Sequence, residues 1–256
     1  TIAANGFIAG LIELRSSSSI SLASLDANAA GFAQPTNNDT DLSAYGVFFA
    51  ANGGSIEVAD DLTVQTGGSF GAYAQGGGQV RAGDLFQINA ADQVDIRHDM
   101  RGASEERTLF AGGDLSITAG TTIRGATGSL LAGSGVVTLT ALGTAGRIGV
   151  DHVEGGTVVM SSTGATSVEH AEADDDFTAS AGSFRTGLNS IITGGDISIT
   201  SPGAVDLGNS SAGGFVSVTG ESIVFTNIDA GQTVGLTAHG TVAGAEGIRG
   251  GSIDAG

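Results

Sequence analysis

The sequence predicts an all-β protein, a right-handed parallel β-helix with three short strands in each coil of about 20 residues. Three observations support this prediction. A short phrase in which glycines introduce an alternating strand recurs along the chain, its copies follow one another at nearly constant distances, and the turns between strands are too short to hold a crossover helix. Parallel strands without helices stack when the chain coils, because each strand then pairs with its equivalent one coil later.

The recurring phrase is clearest as Gly-Gly-Asp-Leu-Ser-Ile-Thr at 112–118 and as Gly-Gly-Asp-Ile-Ser-Ile-Thr at 194–200. Alternation directs Leu115 and Ile117 into the interior and the residues beside them outward. Glycine suits the corners because we expect them to need positive φ and close backbone approach. The first apolar positions of successive copies lie 18 to 22 residues apart, at Leu115, Val137, Val158, Phe177, Ile197, Val216, Val234 and Ile253.

Each coil is predicted to contain a second and a third strand. The second strands centre on Ile123, Ile148, Val168, Phe184, Val205, Ile223 and Val242. The third, shorter strands are marked by Leu131, Val153, Ala171, Ile192, Ile228 and Ile248. Stacking should also align like residues, so a ladder of amide side chains is expected from Asn189, Asn209 and Asn227.

The N-terminal part repeats less regularly but fits the same architecture. Residues 56–64 align with residues 80–88 at a period of 24. The apolar residues in 11–14 and 20–22 are expected to supply the first coil. The β-helix is therefore predicted to begin well before the regular repeats.

Two segments interrupt the rhythm and are predicted to project as loops from a single β-helix segment, residues 1–256. Residues 26–50 are polar and contain Pro35, and an irregular coil or an end cap is an alternative for them. Residues 97–108 are rich in charged side chains. Because the chain opens within strand-like sequence and has no initiator methionine, we expect it to be a segment of a longer protein.

Composition narrows the function. Nine basic residues against 27 acidic ones give a net charge of -18, which repels phosphate groups, so binding to nucleic acid is not expected. The chain has no cysteine, which excludes disulfides and thiolate metal sites. No run of 18 apolar residues occurs, so this segment is not expected to insert into a membrane.

One constellation predicts a cation site. Asp-His-Val-Glu at 151–154 recurs as Glu-His-Ala-Glu at 169–172, one coil later, so the two histidines and the two glutamates should stack about 5 Å apart. Like charges at that distance repel, and a divalent cation would relieve the repulsion. Histidine with carboxylate suits Zn²⁺, and carboxylates alone suit Ca²⁺; a solvated acidic face without any cation is the alternative. The candidate ligands are His152, Glu154, His170, Glu172 and Asp174.

Catalysis is not expected. Asp60, Asp61 and Asp84 could form paired carboxylates on neighbouring coils, as glycoside hydrolysis needs, but aspartates beside glycines more often serve as turn residues. The chain has no Lys or Trp, and Tyr45 and Tyr73 are its only tyrosines, so aromatic platforms for sugars are scarce. A polysaccharide lyase or hydrolase is therefore the weakest of three functional readings.

The phrases at 112–120 and 194–200 resemble the degenerate repeats of filamentous-haemagglutinin-like exoproteins of the two-partner secretion group, and autotransporter passengers are similar. The resemblance is a pattern of period and residue type over about residues 50–256. It implies a right-handed β-helix exported to the bacterial cell surface for adhesion, biofilm formation or contact-dependent toxin delivery. The Asn-Pro-containing signature of that family's secretion domain has no match in this sequence.

Taken with the resemblance, the sequence favours a secreted, non-enzymatic shaft that displays loops away from the bacterial surface. Its expected partner is a protein or glycan on a host or neighbouring cell, or further copies of itself. A self-assembling filament or matrix subunit is the first alternative. Apart from the candidate Ca²⁺ or Zn²⁺ site, no cofactor is expected.

Overall fold

The computed structural model of this protein consists of short β-strands joined by turns. It describes residues 2–6, 12–16, 19–22, 25–29, 45–52, 55–75, 78–99, 106–125, 129–187, 191–250 and 252–255. None of these residues is helical, so no helix among them could cross a bilayer. The prediction of an all-β chain is confirmed.

The described chain forms 29 strands of three to nine residues. In chain order these strands are β1 (Ile2–Gly6), β2 (Ile12–Ser16), β3 (Ser19–Leu22), β4 (Leu25–Ala29), β5 (Tyr45–Asn52), β6 (Ser55–Val58), β7 (Leu62–Thr66), β8 (Ser69–Gln75), β9 (Gln79–Ala82), β10 (Phe86–Ala90), β11 (Gln93–Asp99), β12 (Glu106–Ala111), β13 (Leu115–Ala119), β14 (Thr122–Gly125), β15 (Ser129–Gly133), β16 (Val136–Ala141), β17 (Arg147–Gly155), β18 (Thr157–Ser162), β19 (Ala165–Ala173), β20 (Phe177–Ser180), β21 (Ser183–Thr186), β22 (Ile191–Thr193), β23 (Ile197–Thr200), β24 (Ala204–Ala212), β25 (Val216–Gly220), β26 (Ser222–Ala230), β27 (Thr233–Ala238), β28 (Val242–Arg249) and β29 (Ser252–Ala255).

Two parallel sheets wind together along the chain as a right-handed parallel β-helix, as predicted. One sheet contains 12 strands, one from each successive coil, in the order β1, β4, β7, β10, β13, β16, β18, β20, β23, β25, β27 and β29. The other contains 17 strands and supplies the second and third positions of the coils. In the coils of β17, β19, β24, β26 and β28 these two positions join into one long strand.

The predicted register of the first strands is confirmed at every position. Leu115 pairs with Val137, Val137 with Val158, and Val158 with Phe177. The same row continues through Ile197, Val216, Val234 and Ile253. In the N-terminal part, the alignment of residues 56–64 with residues 80–88 is confirmed by the pairing of β6 with β9 and of β7 with β10.

Two of the predicted positions in the second and third strands are wrong. At the second strand, Thr166 and not the predicted Val168 pairs with Ile148, and Val168 pairs with Val150. At the third strand Ile191, not Ile192, pairs with Ala171 and points inward, and Ile192 is 44% exposed. The first error arises because the inward residue, Thr166, is polar. The second arises because two isoleucines adjoin, and hydrophobicity alone does not show which of them points inward.

The boundaries predicted for the two loops are also too wide. Residues 26–29 belong to β4 and residues 45–50 to β5, so only 30–44 of the segment 26–50 lie outside the described residues. Likewise residues 97–99 end β11 and residues 106–108 begin β12, which leaves 100–105. At the end of β11 the charged residue Arg97 hid the strand character of the sequence.

The buried side chains form one continuous column inside the coils. It consists of aliphatic residues and alanines together with phenylalanines that contact each other at two levels. The rings of Phe49 and Phe70 have centroids 5.4 Å apart, and those of Phe177 and Phe184 are 6.0 Å apart. Because each coil buries its apolar residues only against its neighbours, the core is built by repetition along the axis.

The Gly-Gly-Asp phrase forms a corner at which an aspartate caps the next coil. Asp114 Oδ1 accepts a hydrogen bond from the backbone N–H of Val136 at 2.8 Å, and Asp196 Oδ1 accepts one from Phe215 N–H at 2.9 Å. A Cβ at Gly214 would collide with the Asp196 carboxylate. Glycine is therefore needed beside these caps to leave room for the carboxylate of the preceding coil.

The expected positive φ at the corners is wrong. Among the described glycines only Gly247 has a φ in that region, at 154°. At other corners the constraint is close approach of successive coils: a Cβ at Gly213 would overlap the backbone carbonyl of Gly194, and one at Gly112 that of Gly83. The absence of a side chain, not backbone conformation, selects glycine at these positions.

Candidate metal centre

The two predicted histidine motifs meet on β17 and β19, which are paired over most of their length. His152 pairs with His170 and Glu154 with Glu172. This stacking confirms the register predicted from the 18-residue spacing of the motifs. Parallel pairing places like side chains about 4.8 Å apart on the outside of the β-helix.

A local change of alternation places the two histidines on the outer face, where both are half-buried. Along β17 the inward residues are Val150 and Val153, and two residues, Asp151 and His152, lie between them instead of one. The chain bends there from the second to the third strand position. Because β19 bends at the equivalent residues, His170 follows the same course one coil later.

The geometry brings three potential ligand groups together. The imidazole rings of His152 and His170 have centroids 4.5 Å apart and are inclined by 80°. His170 Nε2 donates a hydrogen bond to Glu172 Oε1 over 2.7 Å. One ligand atom each from His152, His170 and Glu172 lies within 4.8 Å of the others, the one such group of three within the part of the chain described.

The remaining two predicted ligands lie beside this group. Glu154 and Asp174 line a groove of about 500 Å³ together with Glu172, and Phe110 and Ile192 also line it. The structure therefore brings His152, His170 and Glu172 together and places Glu154 and Asp174 along the adjoining groove. Whether any of them binds a cation stays a prediction.

Comparisons with known proteins do not identify this site. No family model, curated protein or solved structure matches the chain. Its chemistry is therefore judged from the donor atoms themselves. Two imidazoles and one carboxylate form a donor set that suits Zn²⁺ and other divalent transition metals, whereas Ca²⁺ prefers oxygen ligands alone.

The aspartates considered for glycoside hydrolysis occupy corners. Asp60 and Asp84 lie at equivalent positions of successive coils, because Leu62 pairs with Phe86 two residues further along. The Asp61 carboxylate accepts a hydrogen bond from Leu85 N–H at 3.2 Å. Asp61 thus serves the turn role that the sequence also suggested for it.

An ion pair on β11 was missed. Both Nε and Nη2 of Arg97 donate hydrogen bonds to Asp95 Oδ2, over 2.8 and 2.7 Å. Asp95 is only 7% exposed although it lies on the outward face of the strand. Residues two apart on a strand share a face, so their opposite charges are a signal in the sequence, but the loop predicted over 97–108 places Arg97 outside the strand.

A second contact that the sequence did not predict involves Phe110, which lines the groove. Arg81 stacks over the ring of Phe110 with its guanidinium carbon 5.1 Å from the ring centroid. The two residues pair directly between β9 and β12. The register between β9 and β12 reveals that they are neighbours. The sequence did not show this register, because the segment 97–108 interrupts the repeat.

Proposed function

We propose that this chain is a non-enzymatic structural shaft of an extracellular bacterial protein, similar in role to filamentous-haemagglutinin-like exoproteins. It holds surface loops at fixed positions away from the cell. The observation that carries the proposal is the unbroken series of parallel pairings from β1 to β29. A structure that repeats one coil along an axis is suited to spanning distance.

The dimensions follow from the fold. Each coil adds about 4.8 Å, so the 12 strands of the first sheet extend for about 50 Å along the axis. The stability of such a stack is close to a sum of coil terms and nearest-neighbour terms. Length can therefore change by whole coils without loss of the fold, which is a useful property for a shaft.

The surface also supports the proposal. The net charge of -18 favours solubility outside the cell and disfavours phosphate-rich partners. The corner aspartates cap backbone N–H groups of the next coil, which gives them a structural role. We place the partner contacts in residues 30–44 and 100–105, which connect strands of the β-helix, since binding residues are commonly carried by loops on a rigid scaffold.

A bead adhesion assay tests this function. Beads coated with the chain are incubated with bacterial and epithelial cells, and adherent beads are counted against albumin-coated beads. We expect adhesion that falls several-fold when residues 30–44 or 100–105 are replaced by Gly-Ser segments of equal length. The control is Thr178→Ala, which changes an exposed side chain on β20 and should leave adhesion unchanged.

Four results would overturn the proposal. Beads that adhere no better than albumin-coated beads would remove the adhesive role, as would adhesion that ignores both replacements. Fibres that lengthen with protein concentration in electron micrographs would instead favour the filament subunit. Turnover of uronate-rich or neutral polysaccharides that is lost in Asp61→Asn or Asp84→Asn would favour the enzyme.

A further inference from the structure

We propose that His152, His170 and Glu172 bind a Zn²⁺ ion that joins two adjacent coils of the β-helix. The site lies on the shaft itself and does not depend on the function proposed for the loops. It belongs to the surface formed by β17 and β19, whose pairing brings residues 18 positions apart into contact.

The backbone already places the three ligands near the separation that Zn²⁺ requires. In a tetrahedral Zn²⁺ site with metal–nitrogen bonds of about 2.0 Å, ligand atoms lie about 3.3 Å from one another. The three potential ligand atoms here lie within 4.8 Å, and the His170 Nε2 to Glu172 Oε1 distance is 2.7 Å. Small rotations of the side chains bring the more distant ligand atoms together and move His170 Nε2 and Glu172 Oε1 apart, while the paired strands stay in place.

The donor set selects the metal. Neutral imidazole nitrogens bind Zn²⁺ well and are poor ligands for Ca²⁺, which takes six to eight oxygens. The fourth position of the tetrahedron falls to Glu154, which pairs with Glu172 across the two strands, or to water. Asp151 precedes His152 in sequence and adds negative charge that attracts a cation.

Binding should stabilise the folded protein specifically. The two histidines come from different coils, so the complete site exists only when β17 and β19 are paired. A ligand that binds the folded state alone raises its stability in proportion to the logarithm of ligand concentration. Zn²⁺ should therefore raise the unfolding temperature of the full chain, and Ca²⁺ should not.

The test uses the full chain freed of metal by chelation and then dialysed. ZnCl₂ and CaCl₂ are titrated separately by calorimetry, and thermal unfolding is followed by circular dichroism with and without each ion. Co²⁺ is added as a spectroscopic probe, because a tetrahedral site with nitrogen ligands gives intense visible absorption. The variants are His152→Ala, His170→Ala and Glu172→Gln, with circular dichroism of each to verify the fold.

Two controls separate a defined site from general acidity. Glu169→Gln removes the same charge as Glu172→Gln, from an exposed residue next to His170. His239→Ala removes an exposed histidine in a later coil. Both should bind Zn²⁺ as the unaltered chain does.

We expect one Zn²⁺ per chain, a raised unfolding temperature and a tetrahedral Co²⁺ spectrum. Each of the three ligand variants should weaken binding by more than about 100-fold, because loss of residues that merely orient ligands already costs 10- to 100-fold. Equal binding of Ca²⁺ and Zn²⁺, no measurable Zn²⁺ binding, or a Glu169→Gln variant as weak as Glu172→Gln would each overturn the proposal. A folded His170→Ala variant that binds Zn²⁺ normally would do the same.

Discussion

Ser210 is a hydroxyl residue buried in an otherwise aliphatic row of the core. It pairs with Ile191 in one coil and with Ile228 in the next, and only 2% of it is exposed. Its Oγ has no hydrogen-bond partner among the described residues. A buried polar group without a partner keeps its desolvation cost, so this serine destabilises the coil that contains it.

We therefore predict that Ser210→Ala raises the free energy of unfolding by about 1 kcal/mol. The substitution removes the hydroxyl and leaves the rest of the side chain in place. Equilibrium denaturation in urea measures the change. Ser217→Ala, on the exposed face of β25, is the control and should change stability by less than about 0.5 kcal/mol. A destabilised Ser210→Ala protein would mean that its hydroxyl does find a partner.

Ser210 also shows why some inward positions cannot be read from the sequence. The prediction used apolar side chains to mark the interior, and it found the aliphatic members of this row at Val153 and Ile228. Ser210 and Thr166 point inward with little exposure, and their types gave no such signal. Thr166 is satisfied there by a 2.8 Å hydrogen bond to Ser162, a pairing that only the folded turn creates.

The geometry of the candidate site was more predictable from the sequence than these inward polar positions. A repeat of two motifs at one coil length was sufficient to predict that His152 would stack on His170, because parallel register follows from period. The change of alternation at the bend, which sets the orientation of the two rings, was not predictable from period alone.

At the scale of the element, the corners differ in how closely successive coils approach. A Cβ at Gly213 would overlap the carbonyl oxygen of Gly194, a backbone atom that cannot move without separating the coils. A Cβ at Gly214 would meet the Asp196 carboxylate, the end of a side chain. Gly235 lies on β27 with nothing within 4 Å of such an atom.

These surroundings predict a graded series of alanine substitutions. Gly213→Ala should lower the free energy of unfolding by about 3 kcal/mol, because backbone must be displaced. Gly214→Ala should lower it by about 1 kcal/mol, through loss of the hydrogen bond between Asp196 and Phe215 N–H. Gly235→Ala should raise it by about 0.5 kcal/mol, because alanine has less backbone freedom to lose in a strand.

Denaturant titration of the three variants gives the order, and amide exchange at Phe215 supplies a local measurement. Faster exchange is expected there for Gly214→Ala and no change for Gly235→Ala. Equal losses at positions 213 and 235 would show that side-chain space at the corners does not select glycine.

At the scale of the whole molecule, each coil contacts mainly the coils before and after it, so a coil is a removable unit. Residues 197–215 make up one complete coil, because Ile197 pairs with Val216. They contain β23 and β24 and the turns that follow them. Their deletion joins Asp196 to Val216 and leaves every remaining strand in its own row.

We predict that the chain without residues 197–215 folds into the same β-helix, shorter by about 4.8 Å. The new neighbours are compatible: Phe184 would lie against Ile223, and Ile191 against Ile228, in the rows that Val205 and Ser210 now separate. Stability should fall by little more than the contribution of one coil and one interface. Circular dichroism and thermal unfolding should show an intact β-structure with a single transition.

The matched control is deletion of residues 197–206, about half a coil. It brings Leu207 to the place of Ile197, so the remainder of β24 would have to fill the first sheet and the coil could not close in register. A shift of register moves inward side chains to the outside, so this shorter deletion should unfold the chain or lower its unfolding temperature far more than the longer one. Equal damage from both deletions would contradict the view that this molecule is a stack of interchangeable coils, and the proposal that it acts as a shaft of adjustable length would lose its physical basis.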